Sequence, residues 1–306
     1  MSNREVIALG TSSQVPTRER SHNAYLLFWD GEGFLFDPGE GAQRQMTLAG
    51  VSVSSVHHIC ITHFHGDHCL GLAGIVQRLS LDGCTHPVHL YYPTSGQPYA
   101  DRLCHSTIFQ SQAELVYHPV DPTEDIIELN RSGDSRLTAR SLAHSVPTIG
   151  FRVAELPGTR FIPEKLEDAG VRGAAVGELK RRGFLQTESR LVRLEDVTVP
   201  RPGCAFAFVM DTQPCAGAVA LASEADLLLM EATYTSEHQD LADLYRHSTA
   251  KDAASVAHSA SACKLALTHF SQRYTDTGKH LDEAREIFAN VIILNDFDRV
   301  VIPRRR

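Results

Sequence analysis

The pattern of apolar and polar residues in the front half of the chain predicts short strands separated by helices and loops. One stretch, "WDGEGFLFD", places Asp30-Gly31 between two apolar runs, and this pair favours the tight turn of a hairpin. Another, "LGLAGIVQRLSL", repeats its apolar residues at helical spacing, shortly after a buried strand that ends at Thr62. The runs of strand length are "REVIAL", "NAYLLFW", "HHICIT", "HPVHLYY", "ELVYHPV" and "SRLTARSLA".

The back half alternates strands and helices in the same way. Its strand-like runs are "CAFAFVM", "DLLLMEAT", "KLALTH" and "VIILN". Helical spacing is found between them, in "CAGAVALASEA", "TAKDAASVAHSASA" and "LDEAREIFAN". Because both halves mix strands with helices, the sequence predicts an α/β protein of two layered sheets covered by helices.

The stretch 156–193 interrupts this alternation, because it is highly charged and short of large apolar residues. It holds eight basic and five acidic residues, so it is mildly basic inside an acidic protein. Two parts of it, "IPEKLEDAGV" and "VGELKRRG", have the character of short helices that stop at Gly170 and Gly183. The composition predicts a surface insertion rather than a core element.

Composition narrows the class of protein. The 306 residues, of which 42% are hydrophobic, can bury a large core in one big domain or two ordinary ones. Seven cysteines are scattered without a C-x-x-C pair, which favours reduced thiols over a disulfide framework. No run reaches the roughly 18 apolar residues of a membrane span, and the N-terminus lacks the blocks of a signal peptide. We therefore expect a cytoplasmic protein with no membrane partner.

The charge balance bears on the choice of partner. A formal net charge of −8 argues, taken alone, against a nucleic-acid partner, because phosphate binding needs positive charge. Net charge misleads where basic groups cluster, and 156–193 is such a cluster. The sequence therefore leaves nucleic-acid binding open at this one segment.

A dense group of metal-ligating residues occurs in the stretch 61–72, "ITHFHGDHCLGL". His63, His65, Asp67 and His68 fall within six residues. Imidazole and carboxylate together suit zinc and similar divalent ions. Left protonated and unpaired, these groups would repel one another, so a metal is the better explanation of the motif. Packed side by side, they can point into two neighbouring ion positions.

Two ions require further ligands from elsewhere in the chain. His144, Asp211 and His269 each follow a predicted strand, and ligands at strand ends meet at one edge of a sheet. An aspartate such as Asp211 can bridge two ions with one oxygen to each. A lone histidine at a strand end is more often structural, so spacing alone leaves these three residues open.

Several blocks, in order along nearly the whole chain, resemble the tRNase Z family, the 3′-processing ribonucleases of the metallo-β-lactamase superfamily, in their short bacterial form. The superfamily signature is "THFHGDH", and "AHSVPTIGFRV" carries a third-motif histidine. The other matching blocks are "LGTSSQVPTRERS", "FDPGEGAQRQM", "MDT", "EATY", "RHST" and "THFSQRY".

The resemblance implies a fold and a metal site. The fold is a metallo-β-lactamase four-layer αβ/βα sandwich, one domain over 1–306, with a projecting arm inserted at about 156–193 that grips the tRNA elbow. The protein is implied to be a homodimer. Two zinc ions per chain are implied, with Asp211 between them. The ligands of the first ion are His63, His65 and His144, and those of the second are Asp67, His68 and His269.

The implied reaction removes the 3′ trailer from precursor tRNA and leaves a tRNA 3′-hydroxyl and a 5′-phosphorylated trailer. Asp67 is the candidate to accept the proton of the attacking water. His247, oriented by Glu231, is the candidate to protonate the leaving oxygen, and its ordinary pKa suits that task. An alternative stays open, because Thr249 and Asp252 resemble a helix capping box beside which His247 is a bystander.

The resemblance also indicates substrate contacts. In the loop near the start, arginine replaces the family's lysine at position 18, which keeps a positive charge for phosphate. Arg273 either meets phosphate or is an ordinary surface arginine, and Asp37 either supports a ligand histidine or serves a turn. The arm lacks the family's Gly-Pro tip and has Gly173 followed by two alanines. The expected substrate-binding residues are Arg18, Arg20, Arg273, Lys180, Arg181 and Arg182.

Two rival functions remain. A small-molecule phosphodiesterase or arylsulfatase-like hydrolase shares this fold, but such relatives lack a basic arm. A non-catalytic RNA-binding scaffold is a rival from another class, and the complete set of ligands argues against it. Cleavage of 3′-extended tRNA with and without a chelator separates the three.

Overall fold

The first sheet has seven strands, six from the first half of the chain and one from near the C-terminus. The structure is a computed structural model that describes residues 4–122, 126–132 and 134–303. The strands are β1 (Glu5–Gly10), β2 (Ala24–Trp29), β3 (Glu32–Phe36), β4 (Val56–Cys60), β5 (Val88–Pro93), β6 (Leu115–Val120) and β18 (Arg299–Val301). They lie in the order β18-β1-β2-β3-β4-β5-β6, antiparallel up to β3 and parallel from β3 onward.

The second sheet also has seven strands and repeats this plan. Its strands are β7 (Ile127–Ser132), β8 (Ser135–Leu142), β9 (Thr148–Glu155), β14 (Ala205–Val209), β15 (Leu227–Glu231), β16 (Leu265–Thr268) and β17 (Val291–Ile293). The order is β17-β16-β15-β14-β9-β8-β7, and the four strands from β17 to β14 are parallel. Parallel strands end at the same edge of a sheet, so their C-terminal loops are brought together there.

Helices cover the outer face of each sheet. The apolar faces of α1 (Ala42–Leu48), α3 (Leu72–Leu81) and α4 (Gln97–Cys104) pack on the first sheet. On the second sheet the corresponding helices are α7 (Ala216–Ala222), α9 (Ala250–Ser259) and α10 (Gly278–Arg285). Two short helices complete this part of the chain, α2 (Gly66–Cys69) and α8 (Gln239–Tyr245).

Aromatic side chains fill the space between the two sheets. The ring of Phe36 on β3 lies 4.7 Å from that of Phe208 and 5.7 Å from that of Phe206, both on β14. Tyr25 on β2 packs 5.4 Å from Phe208. All of these side chains are fully buried, so the inner faces form one apolar layer. The predicted four-layer αβ/βα sandwich is confirmed.

Residues 155–204 form a separate compact unit. It contains α5 (Pro163–Asp168) and α6 (Ala174–Arg182), two antiparallel pairs, β10 (Gly158–Phe161) with β13 (Thr198–Arg201) and β11 (Phe184–Gln186) with β12 (Leu191–Arg193). A small core of Ala169, Val171, Leu179, Val192 and Val197 holds it together. The predicted insertion at about 156–193 lies within this unit, and both predicted helices are present.

Several local predictions are confirmed. The turn between β2 and β3 has positive φ at Asp30 (51°) and Gly31 (100°), as a type I′ hairpin turn requires. Helix α9 begins with the capping box of Thr249 and Asp252. Helix α6 ends at Gly183 in the left-handed conformation with φ 78°.

One helix is displaced from its prediction. The run 281–290 reads as helical, but α10 is Gly278–Arg285. Its start is extended because Asp276 accepts a hydrogen bond from the Gly278 N–H at 3.0 Å. Among the described residues, none of the helices is both long enough and apolar enough to cross a bilayer.

Candidate metal centre

The metal-ligating motif at 63–68 follows strand β4 and spans a loop and the first turn of α2. His63 and His65 lie on the loop, whereas Asp67 and His68 belong to the helical turn. Helical geometry turns Asp67 and His68 to different directions from the loop residues, so four side chains of one short segment can serve two positions. His63 and His68 are fully buried and Asp67 is 7% exposed.

The three remote residues stand at the C-terminal ends of strands, as predicted. His144 follows β8, Asp211 follows β14 and His269 follows β16. Asp211 and His269 adopt positive φ values of 42° and 59°, which are uncommon for residues other than glycine. Strained backbone of this kind is concentrated at functional sites, where the surrounding structure maintains it.

The first group of candidate ligand atoms comprises three imidazoles and one carboxylate. His63 Nε2 lies 2.9 Å from His65 Nδ1 and 3.6 Å from Asp211 Oδ2. His144 Nε2 lies 3.4 Å from His65 Nδ1 and 3.7 Å from Asp211 Oδ2. Ligands on a tetrahedral zinc at about 2.0–2.1 Å are separated by roughly 3.3 Å, so these spacings fit one ion.

The second group shares the same aspartate. Asp67 Oδ2 lies 3.2 Å from His68 Nε2 and 3.4 Å from His269 Nε2. The other oxygen of Asp211, Oδ1, lies 3.2 Å from His269 Nε2. His68 Nε2 also lies 3.3 Å from Asp211 Oδ2. The carboxylate of Asp211 therefore contacts both groups and stands between them, as a bridging ligand does. All seven sequence-predicted metal ligands are brought together.

A hydrogen bond orients the far side of several of these rings. His68 Nδ1 lies 2.9 Å from Asp37 Oδ2, and Asp37 also accepts from the backbone N–H and hydroxyl of Thr62. His144 Nδ1 donates to the carbonyl oxygen of Arg246 at 3.0 Å. The fixed contacts on Nδ1 leave Nε2 facing the cluster, the arrangement that tunes and aims metal-bound histidines. The corresponding partner of His269 Nδ1 is the Thr233 hydroxyl at 2.9 Å.

The buried carboxylates of the centre require positive charge close to them. Burial lowers the pKa of His68, yet the carboxylates of Asp211, Asp67 and Asp37 outweigh it and raise the pKa above the ordinary value. Burial likewise opposes ionisation of Asp211, but nearby imidazoles, His269 first, hold its pKa well below the usual range. Buried carboxylates kept ionised in this way need a partner charge, which a divalent cation supplies.

Unpartnered polar atoms point to the same conclusion. His68 Nε2, His269 Nε2 and Asp211 Oδ1 are buried, and each is without a hydrogen-bond partner in the part of the chain that the structure describes. Leaving such atoms without a partner is costly. A metal ion ligated by these atoms satisfies them, so the residues present fit two divalent ions.

His247 and Glu231 form a pair beside the ligands. His247 Nδ1 lies 3.0 Å from Glu231 Oε2 and 4.0 Å from Asp211 Oδ2. Burial lowers the pKa of His247, but Glu231 and Asp211 outweigh that effect and raise it to about 9. Glu231 is fully buried, and its pKa is lowered by His247 against the effect of burial. The two predicted partners are therefore in direct contact, while the capping box next to them is also present.

A cleft of about 370 Å³ opens over the centre. Asp67, His65, His144, Asp211 and His247 form its floor and wall. Four further lining residues are buried or half-buried: Ser13, Thr233, Tyr234 and Ser271. The exposed lining residues, which form its rim, are Gln14, Val15, Ser145, Leu244, Tyr245, Gln272 and Arg273.

The predicted substrate-binding residues differ in their position relative to the cleft. Arg273 lines the cleft, with its guanidinium 5.4 Å from the ring centre of Tyr234. Arg18 is exposed and lies outside the described cleft lining. Arg20 faces the interior, where its guanidinium donates to Thr11, to the Leu294 carbonyl and to Asn295. Lys180, Arg181 and Arg182 are exposed on α6.

Sequence reasoning missed some supporting residues. Thr62, Thr233 and Arg246 contact ligand histidines, but threonine or arginine next to a motif carries no distinctive signal. The sequence left two roles open for Asp37, support of a ligand histidine or a turn. In the structure its carboxylate contacts His68 Nδ1, and its backbone has a positive φ of 44°. It therefore has both the supporting role and the turn role.

Comparison with known proteins agrees with this geometry. A family model described as the metallo-beta-lactamase superfamily matches residues 17–161. The chain is 48% identical to the ribonuclease Z of Nocardia farcinica over 100% of both chains. It is 47% identical to the ribonuclease Z of Chlamydia muridarum over 99% of each.

Solved structures give a consistent picture. The short form of human tRNase Z superposes with a TM-score of 0.71 at 26% identity, covering 98% of this chain and 99% of that one. A diphosphatase of the PhnP family superposes with a TM-score of 0.65 at 18% identity, covering 99% of both chains. The second likeness concerns the fold alone.

Proposed function

Because the chain belongs to the ribonuclease Z family of the metallo-β-lactamase superfamily, we propose that it removes the 3′ trailer from precursor tRNA. The products are a tRNA with a 3′-hydroxyl and a trailer with a 5′-phosphate. The observation that carries the proposal is that two convergent ligand groups both contact the carboxylate of Asp211. That arrangement suits hydrolysis of a phosphodiester, in which charge develops on the attacking and leaving oxygens together.

The metals are proposed to be two zinc ions per chain. His63, His65 and His144 would hold one, Asp67, His68 and His269 would hold the other, and Asp211 would join the two sets. When bound, these ions supply Lewis-acid chemistry that withdraws charge from a phosphate oxygen and acidifies water. Imidazole-rich groups of this kind favour zinc over magnesium or calcium, which prefer oxygen ligands.

Asp67 is proposed to accept the proton of the attacking water. Its carboxylate lines the cleft, and His68 and His269 lower its pKa although burial opposes ionisation. An ionised carboxylate at this position can take a proton as the new P–O bond forms. Attack then breaks the bond between phosphorus and the ribose 3′-oxygen.

His247 is proposed to give a proton to that departing 3′-oxygen. The buried carboxylate of Glu231 raises the pKa of His247, which favours the protonated imidazole. Glu231 binds Nδ1, which leaves Nε2–H as the donor toward the cleft. Arg273 is proposed to steady a substrate phosphate at the rim, because a guanidinium matches phosphate geometry.

The compact unit 155–204 is proposed to be the arm that holds the tRNA body. Support comes from its exposed basic residues Lys180, Arg181 and Arg182 and from the acidity of the remaining chain. Self-association as a homodimer is part of the same proposal. Sedimentation of the purified protein checks it, and a concentration-independent monomer contradicts it.

A cleavage assay tests the function. Precursor tRNA carrying a 3′ extension is incubated with the metal-loaded protein, with and without chelator, and both new ends are mapped. We expect one cut after the tRNA body, a 3′-hydroxyl, a 5′-phosphate on the trailer and loss of cleavage with chelator. Precursors with and without CCA are compared in the same assay.

The same assay addresses the small-molecule alternative. If the precursor tRNA stays intact while a chromogenic phosphodiester is hydrolysed rapidly and in a chelator-sensitive way, the protein is a small-molecule phosphodiesterase instead. Binding of tRNA without hydrolysis of either substrate identifies a non-catalytic scaffold.

A further inference from the structure

An exposed aromatic ring stands at the rim of the cleft and has no part in the proposed chemistry. Tyr245, the last residue of α8, is 53% exposed and lines the same cleft as Asp67 and His247. Its hydroxyl has no hydrogen-bond partner among the residues that the structure describes. Single exposed apolar residues are ordinary on protein surfaces, so the place of this one is what matters.

The backbone beside Tyr245 is tied to a metal ligand. The His144 ring donates to the carbonyl oxygen of Arg246 at 3.0 Å, and the Arg246 guanidinium donates back to the carbonyl oxygen of His144 at 3.0 Å. Arg246 has a φ of 57°, which ends α8 in the left-handed conformation. These two bonds set the position of Tyr245 relative to the ligand cluster.

The depth of the centre restricts what can reach it. His63, His68 and His269 are fully buried, and Asp67 is 7% exposed at the floor. A phosphate must therefore descend below the rim to meet the ligand groups. Unpaired nucleotides can be splayed apart, so a single strand reaches a recessed centre more readily than a base-paired one.

The cleft is larger than a phosphate needs. Its volume of about 370 Å³ falls in the range of pockets that hold small molecules, roughly 300–1,000 Å³. Gln14 and Gln272, both exposed at the rim, offer amide donors and acceptors of the kind that meet base edges. The site therefore has room and polar groups for part of a nucleotide beside the phosphate.

Of the two tyrosines in the described cleft lining, Tyr245 is the one with a free ring face. Tyr234 is only 6% exposed, and the guanidinium of Arg273 already lies over its ring. A free aromatic face at a single-strand cleft is the usual support for an unpaired base, worth about 1–3 kcal/mol for each base.

We infer that Tyr245 stacks on the base of a nucleotide next to the scissile phosphate. This inference rests on the proposed function, because it names how that site holds its substrate. It makes Tyr245 a substrate-binding residue that contacts the RNA rather than the metals. Stacking of this kind tolerates any base, because every base has a π face.

Two variants separate the effect of the aromatic face of Tyr245 from the effect of its side-chain volume. Tyr245→Phe keeps the aromatic face, whereas Tyr245→Leu keeps apolar bulk without it. We expect Tyr245→Leu to lower kcat/KM for precursor tRNA on the order of 10-fold, mostly through KM. Tyr245→Phe should stay within about twofold of the wild type, and zinc content should be equal in all three proteins.

Abasic substrates provide the decisive comparison. Precursors lacking the base on the 5′ or the 3′ side of the scissile phosphate are cleaved by wild type and by Tyr245→Leu. If the ring stacks on one of these bases, removing that base slows the wild type, and the variant then shows no further loss. Such non-additivity marks a direct contact.

Two outcomes overturn the inference. Equal slowing by Tyr245→Leu on intact and on both abasic precursors shows that the ring contacts neither base. Equal slowing by Tyr245→Phe and Tyr245→Leu assigns the effect to the hydroxyl. Failure of the proposed function is distinct, because the wild type itself would then leave the intact precursor uncut.

Discussion

At the scale of single residues, Asp211 joins the two halves of the metal centre. Its carboxylate contacts both ligand groups, and its backbone has a positive φ of 42° that directs the side chain there. Several imidazoles keep it ionised in a fully buried place. Its removal affects both ion positions at once, unlike removal of any single histidine.

Asp211→Ala is expected to bind fewer than two zinc ions per chain. Turnover of precursor tRNA should fall by about 10³-fold or more, because each lost ion removes several kcal/mol of charge stabilisation. Elemental analysis after gel filtration measures the metal. Asp240→Ala, an exposed aspartate on α8, is the control and should keep both ions. Two tightly bound ions in Asp211→Ala would contradict the bridging role.

His247→Ala is expected to slow cleavage of precursor tRNA without emptying the metal centre. A positioned general acid contributes about 10²–10⁴-fold in rate. The loss should shrink for a nitrophenyl phosphodiester, because its leaving group departs without a proton. Single-turnover rates at saturating enzyme exclude weakened RNA binding as the cause. Equal slowing of both substrates with two ions retained assigns the proton to another donor.

His280 supplies a pH dependence away from the centre. This residue of α10 is fully buried, and neither ring nitrogen has a hydrogen-bond partner within the described parts of the chain. Burial, with the charge of Arg20, lowers its pKa from 6.5 to about 4. Below about pH 6.5 the unfolded chain binds a proton that the folded chain refuses, so stability falls as the pH drops toward 4.

The unfolding free energy of the wild type should depend on pH more steeply than that of His280→Leu. From about pH 7.5 to about pH 5, the wild type should lose about 2 kcal/mol more of its unfolding free energy than His280→Leu. Urea unfolding of both proteins in excess chelator measures this and excludes metal release as the cause. Parallel profiles for the two proteins would show that folding does not lower the pKa of His280.

At the scale of elements, helix α6 carries two glycines with opposite requirements. Gly177 lies inside the helix, and a side chain added there meets nothing within 4 Å. Gly183 ends the helix with φ 78°, where a side chain is strained. The same substitution should therefore act in opposite directions at the two positions.

Gly177→Ala should stabilise the unit 155–204 by about 0.4–1 kcal/mol, because alanine restricts the unfolded chain. Gly183→Ala should destabilise it by roughly 1–2 kcal/mol, because the left-handed conformation disfavours a side chain. Hydrogen exchange of the α6 amides reports the opening of this unit directly. Protection that changes in the same direction in both variants would contradict the helix assignment.

At the scale of the whole molecule, charge is divided unevenly along the chain. The unit 155–204 has nine basic and eight acidic residues, whereas the entire chain has a net charge of −8. Its basic residues concentrate in the last turn of α6, where three are consecutive. A polyanion would therefore meet this unit more favourably than the rest of the surface.

Replacing Lys180, Arg181 and Arg182 by glutamine should weaken tRNA binding and reduce its salt dependence. Each lost phosphate contact lowers the slope of log affinity against log salt by about 0.9 or less. Hydrolysis of a small phosphodiester should not change. Glu164→Gln, in the same unit, is the control and should not weaken binding. A fall in both activities in the triple variant would show that these residues support the fold rather than RNA binding.

The sequence was enough for the features that depend on neighbours in the chain. The Asp30-Gly31 turn, the capping box of Thr249 and the metal-seeking motif at 63–68 are set by local conformation, which spacing and residue type reveal. Strand-end positions made His144, Asp211 and His269 candidates but left them open, and the family resemblance implied their role as ligands. Helices α1, α4 and α8 were not predicted from the sequence.

Only the tertiary structure decided the relations between distant residues. The orientation of Asp211, the contact of Arg246 with His144 across 102 positions and the interior place of Arg20 have no local signal. Each depends on contacts between residues far apart in sequence, and the first two also on left-handed backbone at Asp211 and Arg246. Local preference disfavours that conformation, and only contacts formed by the folded chain can impose it.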